Sequence, residues 1–400
     1  MHILMIAPEP FFEPRGTPFS EFHRIRALIT LGHTVDLVTY PFGRDVQMAG
    51  LSIRRCLRPP FVRHVRIGPS WTKVPLDLSL ALSALKLALS RKYDAVHSHE
   101  EGGFIGVVLA WWLGVPHLYD MHSSLPQQVE NFGYGRATWL KRMLSWVERV
   151  MIRRSRVVIV ICQDLETTVR SVDSDVPTVL IENAPGSGDV RDAAGGTAIR
   201  AQLGLTPATP VVLYTGTFEA YQGLDLLFAA MSIVHRSRPD ARLVLAGGRP
   251  EQLARAGAQT RSLGIDDVTI FAGERPAMEI PAFLQTADLL VSPRSRGTNT
   301  PLKIYQYLGS GKPIVATRLL THTQVLNDET AILTGATPEE FANGMLEGLA
   351  DPARAAALGQ RAQALAGAKY SYEAYLQKTR EACAVLAPGP PPGEAVKDPA

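Results

Sequence analysis

A chain of 400 residues is too long for one ordinary hydrophobic core, so two domains are expected. Hydrophobic residues at 46% against 20% charged exclude a disordered or fibrous chain, and a net charge of +3 with no RNA- or DNA-binding signature excludes nucleic acid as a partner. Cys56, Cys162 and Cys383 are odd in number and far apart, which excludes a disulfide framework and fits a reducing cytoplasm.

The N-terminal MHILMIAPEP has no basic region before its apolar run and reaches proline and glutamate too soon for a secretory signal. It predicts a buried strand over Ile3 to Ile6, followed by a helix over Pro18 to Leu31 that Gly32 ends and a strand over Val35 to Tyr40. That is a βαβ unit, which implies a parallel sheet. The loop before the helix carries Pro14-Arg15-Gly16-Thr17-Pro18 at the carboxyl end of a strand, where open α/β sheets bind ligands, and Gly16 permits close backbone approach.

Leu51 to Lys73 reads as an irregular basic segment with Phe61 and Trp71 among its arginines, followed by a helix over Leu76 to Ser90 and a strand over Ala95 to His97. His99, Glu100 and Glu101 follow as cleft-lining or helix-capping residues; with no second ligand cluster at metal spacing, no metal is expected. The uncharged run Gly102 to Tyr119 is broken by Gly114 and Pro116, so it predicts a buried helix and a strand rather than a membrane span. Asp120-Met121-His122 then projects from a strand end, where chemistry is expected.

Arg136 to Arg156 predicts a basic amphipathic helix. Trp139, Leu140, Met143, Trp146, Val147 and Val150 share one side, and Lys141, Arg142, Arg149, Arg153, Arg154 and Arg156 carry a charge opposed only by Glu148. Its apolar side either packs on the sheet or lies on an anionic membrane surface; the two are compatible if only the basic rim meets lipid. Asp173-Ser174-Asp175 beside Pro177 is a turn, and the glycine-rich segment Gly186 to Gly196 is a domain linker. A second βα series begins at Val211 to Tyr214, with a turn at Gly216.

That series leads to SPRSRGTNTPLKIYQYLGSGKPIVAT, Ser292 to Thr317. Thr300 is predicted as the N-cap and Pro301 as the first residue of a helix that Gly311 and Pro313 stop before the strand Ile314 to Ala316. The free amides of the first turn and the positive end of the helix dipole suit a phosphate, with Arg294, Arg296 and Lys303 as flanking cations. Gly-x-Asn-Thr-Pro-x-Lys-Ile-Tyr, then Tyr-Leu and Gly-Lys-Pro-Ile-Val-Ala, resembles the donor-sugar motif of nucleotide-sugar glycosyltransferases of family 4.

The resemblance covers nearly all of residues 1 to 385 and implies the GT-B fold, α/β with two Rossmann-like domains whose parallel sheets face across a cleft. Its domains are 1–184 for the acceptor, 185–368 for the donor, and a helix over 369–386 that crosses back; 387–400 is a low-complexity, disordered tail. It implies retaining, metal-independent transfer from a nucleotide-diphosphate sugar to a lipid-linked or cell-envelope saccharide, with no cofactor beyond the donor. The enzyme would be cytoplasmic or peripheral on the inner face of the membrane.

By the same resemblance His122, with Asp120, contacts the transferred sugar. Gly16, Thr17, Gly216, Thr217, Gln222, Arg294, Thr298, Asn299, Thr300, Pro301, Leu302, Lys303 and Gln306 bind the donor. The family's two glutamates, eight positions apart, fall at Thr298 and Gln306, and its arginine and lysine after the first glycine of the second domain fall at Thr217 and Gln222. Arg294, Arg296 and Lys303 are then the expected source of the missing positive charge. A GT-B enzyme of other chemistry, such as a nucleotide-sugar epimerase, and a non-catalytic scaffold are the alternatives.

Overall fold

A computed structural model describes residues 1–12, 16–65, 70, 72–127, 138–182 and 193–386. Pro14, Arg15, Arg66, Trp71, Arg136, Asn183, Ala184, most of the linker 186–196 and the tail 387–400 lie outside the described residues. By internal packing the chain divides into two units, Met1–Asn183 with Tyr375–Ala400, and Ala184–Ala374.

The first unit holds β1 (His2–Ala7), α1 (Gly16–Thr30), β2 (Thr34–Thr39), β3 (Leu51–Arg55), α2 (Lys73–Ser90), β4 (Ala95–His99) and α3 (Gly102–Leu113). β5 (His117–Met121), α4 (Thr138–Arg154), β6 (Val157–Val160), α5 (Gln163–Val172) and β7 (Thr178–Leu180) complete its sheet. The order β3-β2-β1-β4-β5-β6-β7 is parallel throughout. Strands covered on both faces need apolar residues at both alternating sets, as β1 has: Ile3, Met5 and Ala7 pack with Ile25 and Leu28 of α1, and Leu4 and Ile6 with Leu76 and Leu80 of α2. The segment read as irregular from Leu51 opens with strand β3. Its alternation is weak because it is an edge strand with only one partner, β2.

The second unit holds α6 (Ala193–Gln202), β8 (Val211–Thr215), α7 (Leu224–Ser237), β9 (Arg242–Ala246), α8 (Pro250–Ser262), β10 (Thr269–Gly273) and α9 (Ile280–Thr286). β11 (Leu289–Ser292), α10 (Leu302–Ser310), β12 (Ile314–Thr317), α11 (Leu320–Thr323), β13 (Ile332–Thr334), α12 (Pro338–Ala350) and α13 (Pro352–Lys369) follow. Its parallel sheet runs β10-β9-β8-β11-β12-β13. The last helix, α14 (Tyr372–Leu386), packs with the first unit from Tyr375 onward.

Both sheets reverse strand order at a defined place, between β1 and β4 in the first unit and between β8 and β11 in the second. At such a switch the loops leave the carboxyl strand ends in opposite directions and open a crevice for ligand. Each set of candidate residues lies at the switch point of its own unit or beside it.

Candidate functional site

In the first unit the chemistry gathers around Asp120. It belongs to β5 rather than to the loop after it, and it sits opposite His99 in the β4–β5 register. The strand repeat of two places His97 and His99 on one face, where their rings stack at 4.8 Å. His99 is therefore a buried strand residue and not the start of a loop. Asp120 Oδ2 accepts a hydrogen bond from Arg24 Nε at 2.8 Å, His97 Nε2 lies 3.4 Å from that oxygen, and His122 Nε2 lies 3.1 Å from Oδ1.

All of these groups are buried. Burial alone would raise the Asp120 carboxyl, but the guanidinium of Arg24, then His122 and His99, hold it well below the usual carboxylate range. Burial pushes His97 and His99 down, against the attraction of Asp120. Ligand atoms of His97, His99 and Asp120 lie within 4.8 Å of one another, a spacing that could hold a metal ion. However, Asp120 is already neutralised by a fixed, fully buried guanidinium, which opposes a second cation.

Arg24 is the residue that the motif reading missed. Its Nη1 also donates to Thr379 Oγ1 of α14 at 3.3 Å, and its guanidinium lies 5.0 Å from the Tyr375 ring centre, so one side chain ties α1, β5 and α14 together. The available signal was helical: Glu21, Arg24 and Leu28 share the stripe of α1 that also carries Ile25, so two charges sit where core residues belong.

Glu100 also stands out. Its backbone is left-handed at φ 47°, its carboxylate accepts a hydrogen bond from Ser123 at 2.8 Å, and burial raises its carboxyl to about 7. Gly16 and Thr17 open α1 at the β1 end of this unit.

In the second unit the loop after β11 is tied by its own carbonyls. Arg294 donates to the carbonyls of Arg296 and Asn299, both at 2.9 Å; Thr321 donates to that of Asn299 and Gln324 to that of Thr298, both at 2.6 Å. Beneath it Ser292 Oγ and His322 Nε2 are 2.8 Å apart, and burial lowers His322 to about 3. Arg294 therefore shapes the loop, and Arg296 is exposed.

The helix that follows starts one residue later than predicted. Pro301 is the N-cap of α10, extended at ψ 135°, and no side chain caps the first turn. Proline without an N–H takes the cap because Thr300 is turned inward, its hydroxyl buried with no hydrogen-bond partner. Leu302 and Lys303 provide the first helical amides. The Lys303 ammonium is buried, has no hydrogen-bond partner and lies 3.8 Å above the Tyr214 ring. Burial, then Arg294, lowers its pKa well below the ordinary lysine range.

The other donor candidates of this unit sit on the strand ends and helix around it. Gly216 follows β8, and a Cβ placed there would stand 3.5 Å from Lys303 Nζ; Thr217 is next, its carbonyl accepting from the Tyr214 hydroxyl at 2.7 Å. Gln222 reaches the β11 end because Gly223, at φ 75°, packs directly on the Pro293 carbonyl, and Ser295 N–H donates to Tyr221. Gln222 Oε1 is buried and unpartnered, and Gln306 lies one helical turn from Lys303, half-buried, as is Thr298. Gly247 is the tightest contact: at φ 136° its Cα faces the carbonyl of Gly216, which any side chain would overlap. Gly247→Ala is expected to cost roughly 2–4 kcal/mol, read as a lower urea midpoint.

Two family models match the chain: "Glycosyl transferase 4-like domain" over residues 23–184 and "Glycosyl transferases group 1" over residues 209–351. This chain belongs to the family 4-like glycosyltransferases. The enzyme is similar to D-inositol 3-phosphate glycosyltransferase of Thermobispora bispora, 27% identical over 83% of this chain and 81% of the relative. It is also similar to the GDP-mannose-dependent monoacylated alpha-(1-6)-phosphatidylinositol monomannoside mannosyltransferase of Corynebacterium glutamicum, 28% identical over 78% of this chain and 75% of that one. Sucrose-phosphate synthase from Thermosynechococcus elongatus superposes with a TM-score of 0.79 at 20% identity, covering 96% of this chain and 98% of its own. The glycosyltransferase has the GT-B fold.

Proposed function

We propose that this glycosyltransferase moves a sugar from a nucleoside-diphosphate donor to a saccharide or lipid-linked acceptor, retaining the anomeric configuration and using no metal ion. One observation carries the donor assignment: a buried lysine amine, Lys303, without a hydrogen-bond partner, at the uncapped start of α10 and at the sheet's switch point. Burial without a partner disfavours the charged form of Lys303, and a diphosphate supplies the counter-charge that restores it. As the bond from the anomeric carbon to the diphosphate breaks, negative charge grows on the leaving oxygen. The first-turn amides, Thr300 and Lys303 stabilise it in this reading.

By the family resemblance Thr217 and Gln222 replace two cations, and they act as neutral hydrogen-bonding groups to the diphosphate. Thr298 and Gln306 meet hydroxyls of the sugar and ribose, Asn299 and Arg294 hold the loop in shape, and Gly16 and Thr17 approach the phosphates. His122, oriented by Asp120, contacts the transferred sugar. The acceptor class follows the names of the relatives, which act on inositol 3-phosphate and on a phosphatidylinositol monomannoside.

Incubation with UDP- and GDP-sugars should raise the melting temperature for the cognate donor, because a ligand of the native state stabilises it. With inositol phosphates or phosphatidylinositol glycosides present, a glycosylated product should form. Donor that is epimerised or hydrolysed with no glycosylated product, or no shift with any nucleotide sugar, would overturn the assignment.

A further inference from the structure

The carboxyl ends of β1, β2 and β4 gather a second set of acids beside the Asp120 cluster. Glu9 follows β1, and its carbonyl accepts from Thr39 Oγ1 at 2.6 Å and from the Tyr40 amide at 3.3 Å, which fixes it at the end of β2 as well. Glu100 and Glu101 follow β4 and lie against the same loop, because a Cβ placed on Gly102 would stand 3.0 Å from Pro8 Cδ. Lys73 and Asp77 approach from the start of α2: Lys73 Nζ donates to Glu101 Oε1 at 2.6 Å, and the Tyr40 hydroxyl donates to Asp77. Glu21 of α1 joins from beneath, where the charges acting on its carboxyl are Glu9, then Asp120, with Arg55 opposing them. Asp77, Glu100 and Glu101 are half-buried, so the group lines a crevice that a ligand can reach.

Two of these acids lack what a buried carboxyl needs. Glu21 is fully buried with neither oxygen hydrogen-bonded, and Glu9, 9% exposed, leaves Oε1 without a partner. Other buried acids of the unit are satisfied. Asp36 accepts from Arg91 at 2.8 Å and from Tyr93 at 2.7 Å, and Glu148 accepts the Leu125 amide at 2.8 Å. Glu148 lies with Met151 and Ile152 on the buried side of α4, while Trp139, Met143 and Trp146 are exposed. In the crevice five carboxyl groups, Glu9, Glu21, Asp77, Glu100 and Glu101, share one ammonium, that of Lys73. Arg24 is committed to Asp120, and Arg55 to Asp45 and to the carbonyls of Tyr40 and Phe42. Burial, then like-charged neighbours, raises Glu9, Glu21 and Asp77, the last to about 7. The crevice is short of positive charge.

The missing partner is larger than a metal ion. Among the described residues His97, His99 and Asp120 are the only three ligand groups close enough to share one, so the carboxyls of the crevice are spread too widely. Acids spread along a crevice suit a ligand with several hydrogen-bond donors, and their excess over cations favours one that is positively charged. We propose that this crevice binds the acceptor through a protonated amine: the saccharide is an amino sugar or aminocyclitol, with its ammonium at Glu9, backed by Glu21, and its hydroxyls on Asp77, Glu100 and Glu101. A phosphate carried by the same acceptor lies outside the crevice, away from the acids. This rests on the proposed function and deepens it, naming the group by which its saccharide acceptor is recognised.

The test is calorimetric titration of the full chain, with and without UDP or GDP, using the glucosamine trisaccharide, its N-acetylated form and spermidine. The amine-bearing trisaccharide should bind roughly tenfold or more tightly than the acetylated one, the worth of one charge-assisted hydrogen bond, and more tightly than spermidine, an amine without a sugar. Glu9→Gln and Glu21→Gln should each lose most of that preference while keeping the wild-type melting temperature and nucleotide binding, because a carboxamide has the shape of the carboxyl it replaces. Glu101→Gln, at a half-buried position, gives the same reading if either buried variant fails to fold. No binding, equal binding of the two trisaccharides, or spermidine bound as tightly as the amine-bearing one would overturn the proposal, as would a preference that the variants retain. Amine selectivity in a chain that binds no nucleoside diphosphate would uphold the crevice and count against the donor site alone; nucleotide binding without amine selectivity would count against the crevice alone.

Discussion

Arg24→Ala is expected to destabilise the protein by about 3–5 kcal/mol, read as a lower urea midpoint. The residue is almost fully buried and its Nε is 2.8 Å from a carboxylate oxygen of Asp120, which is itself fully buried. Removing the guanidinium leaves a carboxylate without its counter-charge among His97, His99 and His122, and with the buried acids Glu9 and Glu21 acting on each other nearby. The pH dependence follows. In the wild type the folded Asp120 lies below its unfolded value, so its contribution is present above the unfolded pKa and is lost only as pH falls through the folded one. Without Arg24, burial raises the carboxyl above the unfolded value, and its contribution is then lost as pH rises. The deficit of Arg24→Ala relative to wild type should therefore be smaller at pH 5 than at pH 8. Pairing it with Asp120→Asn should recover part of the loss, because no buried charge is then left alone.

Lys303→Met separates function from stability. A methionine of similar length fills the space over Tyr214 without burying an unpartnered amine, so stability should be unchanged or up to about 2 kcal/mol higher. Donor affinity should fall roughly 10- to 100-fold, the worth of one charge-assisted hydrogen bond of about 1.5–3 kcal/mol. The folded Lys303 lies below its unfolded value, so unfolding takes up a proton between the two. Wild-type stability gains with pH in that window, and Lys303→Met does not.

Much of the fold was legible because parallel strands covered on both faces must be apolar on both, and glycines mark helix ends: Gly32 and Gly311 follow α1 and α10, both at positive φ. β3 was not, because an edge strand with one partner needs less apolar surface. The proposed anion site rests on Thr300 to Lys303 and on Gly216, where local chemistry and spacing coincide in the sequence. Its cap was misplaced by one residue because the inward turn of Thr300 is a tertiary choice. Arg24 lies 96 residues from Asp120 in the chain, and no local pattern links them; only Glu21 and Arg24 on an apolar stripe hinted at a polar core. In α4 the hydrophobic periodicity was correct, and it left open which side meets the sheet. Periodicity shows that a helix has two sides, and which side meets the sheet depends on whether Glu148 or Trp146 finds a partner there.

Calorimetric titration of UDP and GDP into wild type and Lys303→Met, at pH 7 and pH 9 and in buffers of different ionisation enthalpy, addresses the proposed diphosphate site at α10 directly. Wild type should bind at least one nucleoside diphosphate, take up protons as Lys303 regains its charge, and weaken toward pH 9, while Lys303→Met binds more weakly and with no added proton. Equal affinity and equal proton uptake in the two proteins would contradict it.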